Sequence, residues 1–397
     1  LEDTALMQPP FKTVNNDFCL LDASDLVFID APGTGFSQII SKEKGGAGEP
    51  KDFYGVDPDA NAFASFITQF LSDYNRWNSP KYLFGESYGT FRSAVVSNIL
   101  ERRYAVDLNG VILLSQILSY NNMSDLGTAD PGMDLPYELA LPSAAATAWY
   151  FHKVPNQPAE LQPFLKEVEH FAMNDYALAL NKGSLLDTAT FTHIAGKIHE
   201  YTGLPVAYIR KANLRVSGPD FEKMMLADEN KITGRLDTRF TGPEMDPLSE
   251  TPEYDPHTAT FAAAFVGSFN NYLRTQLKFG KDMIYHPRGN GIIQQWDFRH
   301  LAPNLPFPMR VFTNVMPDLA SAMIYNPKLK VMLNMGYFDL GTPYFEGEYE
   351  MHHLAIPESL QKNISFAHYM SGHMVYLHIP SLKNLHDNVA KFIEETH

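Results

Sequence analysis

Cysteine is nearly absent: Cys19 stands alone among 397 residues, so no intrachain disulfide can form and a reducing compartment is permitted. Phe18 and Leu20 flank it, which suits a small buried hydrophobe better than a nucleophile. Long apolar runs are missing. Val111–Leu114 and Phe261–Val266 fall far short of the ~20 residues that cross a bilayer, and they suit buried core segments. Positive charge is scarce: 31 Lys and Arg stand against 46 Asp and Glu, a formal net charge of −15. A surface of that sign repels phosphate backbones and anionic headgroups, so neither nucleic acid nor a lipid surface is an expected partner. No repeat, charge block or low-complexity tract occurs, and there is no His-Glu-x-x-His or paired-cysteine motif. Neither a metal nor another cofactor is therefore expected. Gly33-Thr34-Gly35 lacks the lysine of a phosphate loop and reads as a bend near the active site.

Hydrophobic residues make up 45% and aromatics 13%, enough for a sizeable core. At about 150 residues per domain, the length allows two to three domain-sized units. Short apolar runs alternate with helical patterns, which predicts an α/β fold. Leu26–Ile29 is an apolar run followed by a Pro/Gly loop at Asp30–Gly35. Helical spacing predicts a helix over Asp57–Trp77, and Tyr82–Phe84 a short strand. A helix over Thr90–Tyr104 and a buried strand over Val111–Leu114 follow. Helical patterns then dominate, at Leu135–Tyr150, Glu160–Leu180 and Thr258–Phe279. Strand patterns resume at Lys330–Leu333 and Ile364–His368, with a last helix over Ser381–Glu394. The pattern resumes instead of starting afresh. That predicts one mostly parallel sheet, built from residues 1–117 and 311–397, interrupted by a helical cap or insertion at 118–310.

Gly85-Glu86-Ser87-Tyr88-Gly89 lies between a strand and a helix, the setting that a G-x-S-x-G nucleophile turn requires. A serine needs a base to take its proton, and the base needs an orienting acid. In α/β-hydrolases these follow in the order Ser, Asp or Glu, His. Asp339 comes just after the strand at Lys330–Leu333, and His373 just after the last strand. Each has a plainer reading: Ser87 and Asp339 as caps, His373 as one of 14 histidines. Their joint order favours a triad. His352 and His353 are adjacent on a helix and cannot face one site together, and His368 lies inside a strand. Glu86 beside the nucleophile is unusual. Kept protonated by burial, it can donate a hydrogen bond to a substrate carboxylate; otherwise it pairs with a cation such as Arg92.

These residues resemble the serine carboxypeptidase family, most closely its bacterial members. The likeness runs from about residue 10 to the C-terminus through Asp25–Ser37, Gly85–Gly89, Asn334–Pro343 and Gly372-His373-Met374 with Tyr376 and His378-Ile379-Pro380. Leu135-Pro136-Tyr137, Ala144–Tyr150 and Gly234–Gly242 add to it within the insertion. The resemblance implies an α/β-hydrolase fold with a helical cap, releasing C-terminal amino acids from peptides through an acyl-enzyme on Ser87. It implies His373 as base and acid, Asp339 as its orienting partner, and the Tyr88 backbone N–H as an oxyanion donor. Glu86, Met374, Gly33 and Gly35 fall to substrate binding, with peptides or small esters as substrates and a periplasmic or secreted location. The family's Asn-Gly-Gly-Pro-Gly segment, source of a second oxyanion N–H, has no counterpart here, nor has its second glutamate at Ala5–Phe11. Loss of one such donor lowers rate by about a hundred- to a thousandfold. Either a separate N-terminal segment supplies it or activity is impaired. The alternatives are an esterase or acyltransferase with the same triad, and a non-catalytic fragment.

Overall fold

The computed structural model describes residues 8–46, 48–126, 131–289, 291–303, 305, 307 and 313–397. The expected boundary at 310/311, and Ala5–Met7 of the stretch Ala5–Phe11, lie outside the described residues.

Helix α1 (Val56–Asp73) carries Asp57, Pro58 and Asp59 in its first turn. There a missing N–H is harmless and carboxylates meet the positive end of the helix. Strand β1 (Tyr82–Glu86), helix α2 (Tyr88–Tyr104) and strand β2 (Gly110–Leu114) follow. The insertion comes next: α3 (Leu135–Tyr150), α4 (Leu161–Phe171), α5 (Ala177–Lys182), α6 (Thr188–Thr202), α7 (Val206–Lys211) and α8 (Gly218–Met224). It continues through strands β3 (Lys231–Thr233) and β4 (Thr241–Pro243) to α9 (Pro256–Thr275). Helix α10 (Met316–Tyr325) then leads to β5 (Lys330–Gly336), α11 (Tyr344–His352), α12 (Glu358–Gln361), β6 (Ile364–Tyr369) and α13 (Ile379–Thr396).

The sheet runs β1-β2-β5-β6 with every pairing parallel. β2 is buried along its whole length, as expected of a parallel strand covered on both faces. Side chains alternate across it. Val111 and Leu113 join the larger core with α1, α2 and the insertion, while Ile112 and Leu114 pack toward α13. Parallel pairing brings Glu86, Leu114, Gly336 and Tyr369 to one end of the sheet, the end where open α/β sheets carry their sites. The insertion shares the larger core: Tyr137, Leu141, Phe164 and Leu165 belong to it together with Leu113 and Phe338.

Several expectations are revised. Leu26–Ile29 joins no ladder among the described residues, and Phe28 is 90% exposed. An apolar run is held as a strand only when a neighbour takes up its backbone groups. β1 pairs with β2 on one flank and leaves Phe84 exposed on the strand. Phe261–Val266 is not a buried segment; it lies on α9, with Phe265 and Val266 exposed. The pattern over Glu160–Leu180 is three consecutive helical pieces, with a π-turn at Ala172–Tyr176 between α4 and α5. No helix among the described residues is long and apolar enough to cross a membrane.

Candidate active site

Ser87 closes β1 and opens α2 with φ 56° and ψ −125°. This left-handed turn is unfavourable for a residue with a Cβ, and it lifts the side chain off the end of the sheet. Ser87 N–H donates to Leu114 O on the neighbouring strand, and Ser87 O accepts from Thr90 N–H and Oγ1, so the strained turn is tied on both sides. Gly85 is required by crowding, because a Cβ there would lie 2.1 Å from Gly89 O. Gly89, the other glycine of the motif, is not needed to clear the turn: a Cβ on it meets nothing within 4 Å. The Tyr88 N–H is the first of α2 and has no intrahelical acceptor, which leaves it available to an anion.

His373 and Asp339 meet. His373 Nδ1 lies 2.7 Å from Asp339 Oδ2, and both groups are buried. Asp339 is itself fixed: Oδ1 accepts from Gly341 N–H and Thr342 N–H, and Oδ2 from Thr342 Oγ1. Those bonds close a turn ahead of α11, which starts at Tyr344, so the aspartate caps a turn and orients the histidine at once. Thr342 Oγ1 also lies 3.0 Å from His373 Nδ1, and Ser115 Oγ donates to His373 O at 2.5 Å. Burial pulls the His373 imidazole down, but the charge and hydrogen bond of Asp339, with Glu86 nearby, outweigh it and hold the histidine above its ordinary value.

Glu86 does not pair with Arg92. Arg92 binds Asp59 instead, with Nε 2.6 Å from Oδ2 and Nη2 3.1 Å from Oδ1. The Tyr376 hydroxyl donates to Glu86, 3.1 Å from Oε1 and 3.0 Å from Oε2. Tyr376 sits three residues after His373, so this bond fastens the histidine loop beside the serine turn. Burial raises the Glu86 carboxyl above the ordinary range, against the lowering pull of His373 and Tyr376. Tyr376 was visible only as part of a familiar segment; nothing in its spacing marked it as a partner of Glu86.

Other expected residues stand apart. No hydrogen bond joins Ser87 Oγ to His373. Gly33 and Gly35 have φ of 85° and 57° in a turn braced by Tyr54 and Asp30 and paired to His286, with no hydrogen bond to Ser87, Asp339 or His373. Met374 follows His373 and is half-buried. Cys19 is a half-buried free thiol. Asn122-Met123-Ser124 and Asn363-Ile364-Ser365 have the sequence of glycosylation sites, but both asparagine side chains are buried and spend Nδ2 on Glu350 and on Pro327 O. No cluster of metal-ligating side chains occurs among the described residues.

No protein-family model matches the chain, and no curated protein matches it. Among solved structures the chain is similar to VinJ, at 14% identity over 92% of this chain and 79% of VinJ, with a TM-score of 0.34.

Proposed function

We propose that the chain is a serine hydrolase with the α/β-hydrolase fold, acting as a carboxypeptidase on free peptide C-termini. The buried His373–Asp339 pair, fastened through Tyr376 and Glu86 to the strained serine turn, is the observation that carries this reading. Ser87 Oγ attacks the carbonyl carbon of the last peptide bond as His373 Nε2 takes its proton. Asp339 keeps the other ring proton on Nδ1, so that Nε2 is free to act as base. The Tyr88 N–H receives the developing oxyanion. The tetrahedral intermediate collapses, His373 returns the proton to the leaving amine, and water then attacks the Ser87 ester by the same route. Protonated Glu86 donates to the carboxylate of the departing residue.

A fluorophosphonate should label the protein, and Ser87→Ala should abolish labelling; labelling that persists in the variant removes Ser87 from the role. Hydrolysis of esters should rise with pH along one limb, set above the usual histidine range because His373 must lose a proton that Asp339 holds. Peptide hydrolysis should carry a second, falling limb as Glu86 ionises, and Glu86→Gln should remove that limb. An amidated peptide should be a poor substrate; equal turnover of free and amidated peptides points to the esterase reading. No hydrogen bond joins Ser87 Oγ to His373, a contact that often tightens only once substrate binds; a wild-type protein that resists the fluorophosphonate would point to the non-catalytic reading.

A further inference from the structure

We infer that residues 235–239 of the insertion form a clasp that positions the triad, with Asp237 as its central positioning residue; the inference rests on the triad reading above. The segment crosses between the two loops that carry Asp339 and His373 and bonds to both. On the histidine side, Leu236 O accepts from His373 N–H at 2.7 Å, and Asp237 Oδ2 accepts from Gly372 N–H at 2.9 Å. On the aspartate side, Arg235 O accepts from Leu340 N–H at 3.1 Å, and Thr238 N–H donates to Phe338 O at 3.0 Å.

Asp237 is buried and acts as the hinge pin. Its Oδ1 accepts from Arg239 N–H and Nε, and its Oδ2 from Arg239 Nη2 at 2.6 Å. Arg239 then reaches on to the histidine loop, donating to Met370 O from Nη1 at 2.9 Å, while its guanidinium lies over the Phe338 ring. The carboxylate thus holds the residue before the base directly and, through the arginine, the residue three before it. Two glycines make the approach possible. A Cβ on Gly372 would lie 2.4 Å from Asp237 Cβ and 2.5 Å from Leu236 O, and one on Gly341 would lie 2.8 Å from Arg235 Nη1. One flanks the base and the other follows the acid two residues on, so each triad loop is bare where the clasp touches it.

The imidazole is therefore held by a segment that belongs to the insertion and is bonded to both loops, so loosening that segment frees His373 to move relative to Asp339. Misplacement on the scale of 1 Å lowers rate by about a hundredfold. Asp237→Asn keeps the shape and loses the charge that holds Arg239; Arg239→Lys keeps the charge and loses the fork. Both variants should slow fluorophosphonate labelling and kcat ten- to a hundredfold with KM little changed. The deciding readout is the proton resonance of His373 Nδ1–H, assigned by its loss in His373→Asn. It should be present in the intact protein and shift or broaden in Asp237→Asn and Arg239→Lys. If Asp237→Asn does not fold, Arg239→Lys and the exchange rates of the Gly372 and His373 amide protons in the wild type decide the matter. Absence of the resonance in the wild type, a resonance unmoved in the variants, or fast exchange at both amides overturns the clasp. The resonance reads the His373–Asp339 bond and not turnover, so a protein inactive on every peptide still tests the clasp, and an active one with an unmoved resonance keeps the triad while losing it.

Discussion

At the scale of single residues the serine turn separates two glycines that look equivalent in the motif. Gly85 lies against Gly89 O, and its replacement by alanine forces backbone apart in a packed turn. Gly85→Ala should destabilise the fold by about 1–3 kcal/mol and abolish labelling of Ser87. Gly89→Ala should be neutral or slightly stabilising, because the added methyl meets open space near the start of a helix where alanine is preferred. Urea unfolding of the two variants checks this; equal losses would contradict the crowding at Gly85. Much at this scale was legible. Ser87, Asp339 and His373 stand out by order alone, since each follows a strand. The supports did not stand out. Thr342, Ser115, Asp237 and Tyr376 act through a few hydrogen bonds each, most of them to residues distant in sequence, and no period in a linear chain records such bonds. The glycines at 341 and 372 were a faint trace of the clasp, because bare backbone beside two candidate triad residues implies a close neighbour.

Among the elements, α1 and α10 are joined by a buried histidine. His300 Nδ1 lies 2.6 Å from Asp57 Oδ1 in the first turn of α1, and its Nε2 2.6 Å from Asp318 Oδ2 on α10. Asn98 of α2 donates to the other oxygen of Asp318, and Leu301 N–H to Asp57. Burial opposes the imidazolium, but the two carboxylates outweigh it and hold His300 up to about 9. Its folded value exceeds its ordinary 6.5, so its contribution is complete below pH 6.5 and fades as pH climbs through about 9. His300→Gln should therefore lower stability by about 3–5 kcal/mol at pH 6 and flatten the decline between pH 6.5 and 9. Thermal midpoints across that window test it, and parallel profiles for variant and wild type would refute the link. The same segment presents Trp296 edge-on to the Tyr88 ring, 5.3 Å between centroids, so loosening it reaches the serine turn. Most elements were legible where apolar spacing was regular, as with α1. β1 ran two residues beyond its apolar run because Gly85 and Glu86 carry no strand signal. β3 and β4 were invisible: Lys-Ile-Thr against Thr-Gly-Pro is held by its ladder and not by composition. Leu26–Ile29 looked like a strand for the opposite reason, since side-chain character cannot supply a hydrogen-bonding neighbour.

For the molecule as a whole, buried acids set the response to pH. Burial raises Glu101 on α2, Glu138 on α3 and Glu350 on α11 to about 7, and Glu222 on α8 to about 8, from an ordinary 4.5. The unfolded chain releases these protons near 4.5 while the folded one retains them. The folded state therefore binds more protons between 4.5 and about 8, and stability falls as pH rises through that range. His300 adds to the fall in the same direction. The urea midpoint should be highest near pH 5 and lower at pH 8, and a midpoint that climbs over this interval would refute the burial of these carboxyls. The net charge of −15 strengthens the trend, since each ionisation adds to a surplus already present. The clasp, finally, limits how the molecule can be pared down. If the chain is the hydrolase proposed above, a minimal version made by deleting the insertion and rejoining the sheet would take away the strap inferred to aim His373, and only a shortened version that transplants residues 234–242 intact should keep its activity.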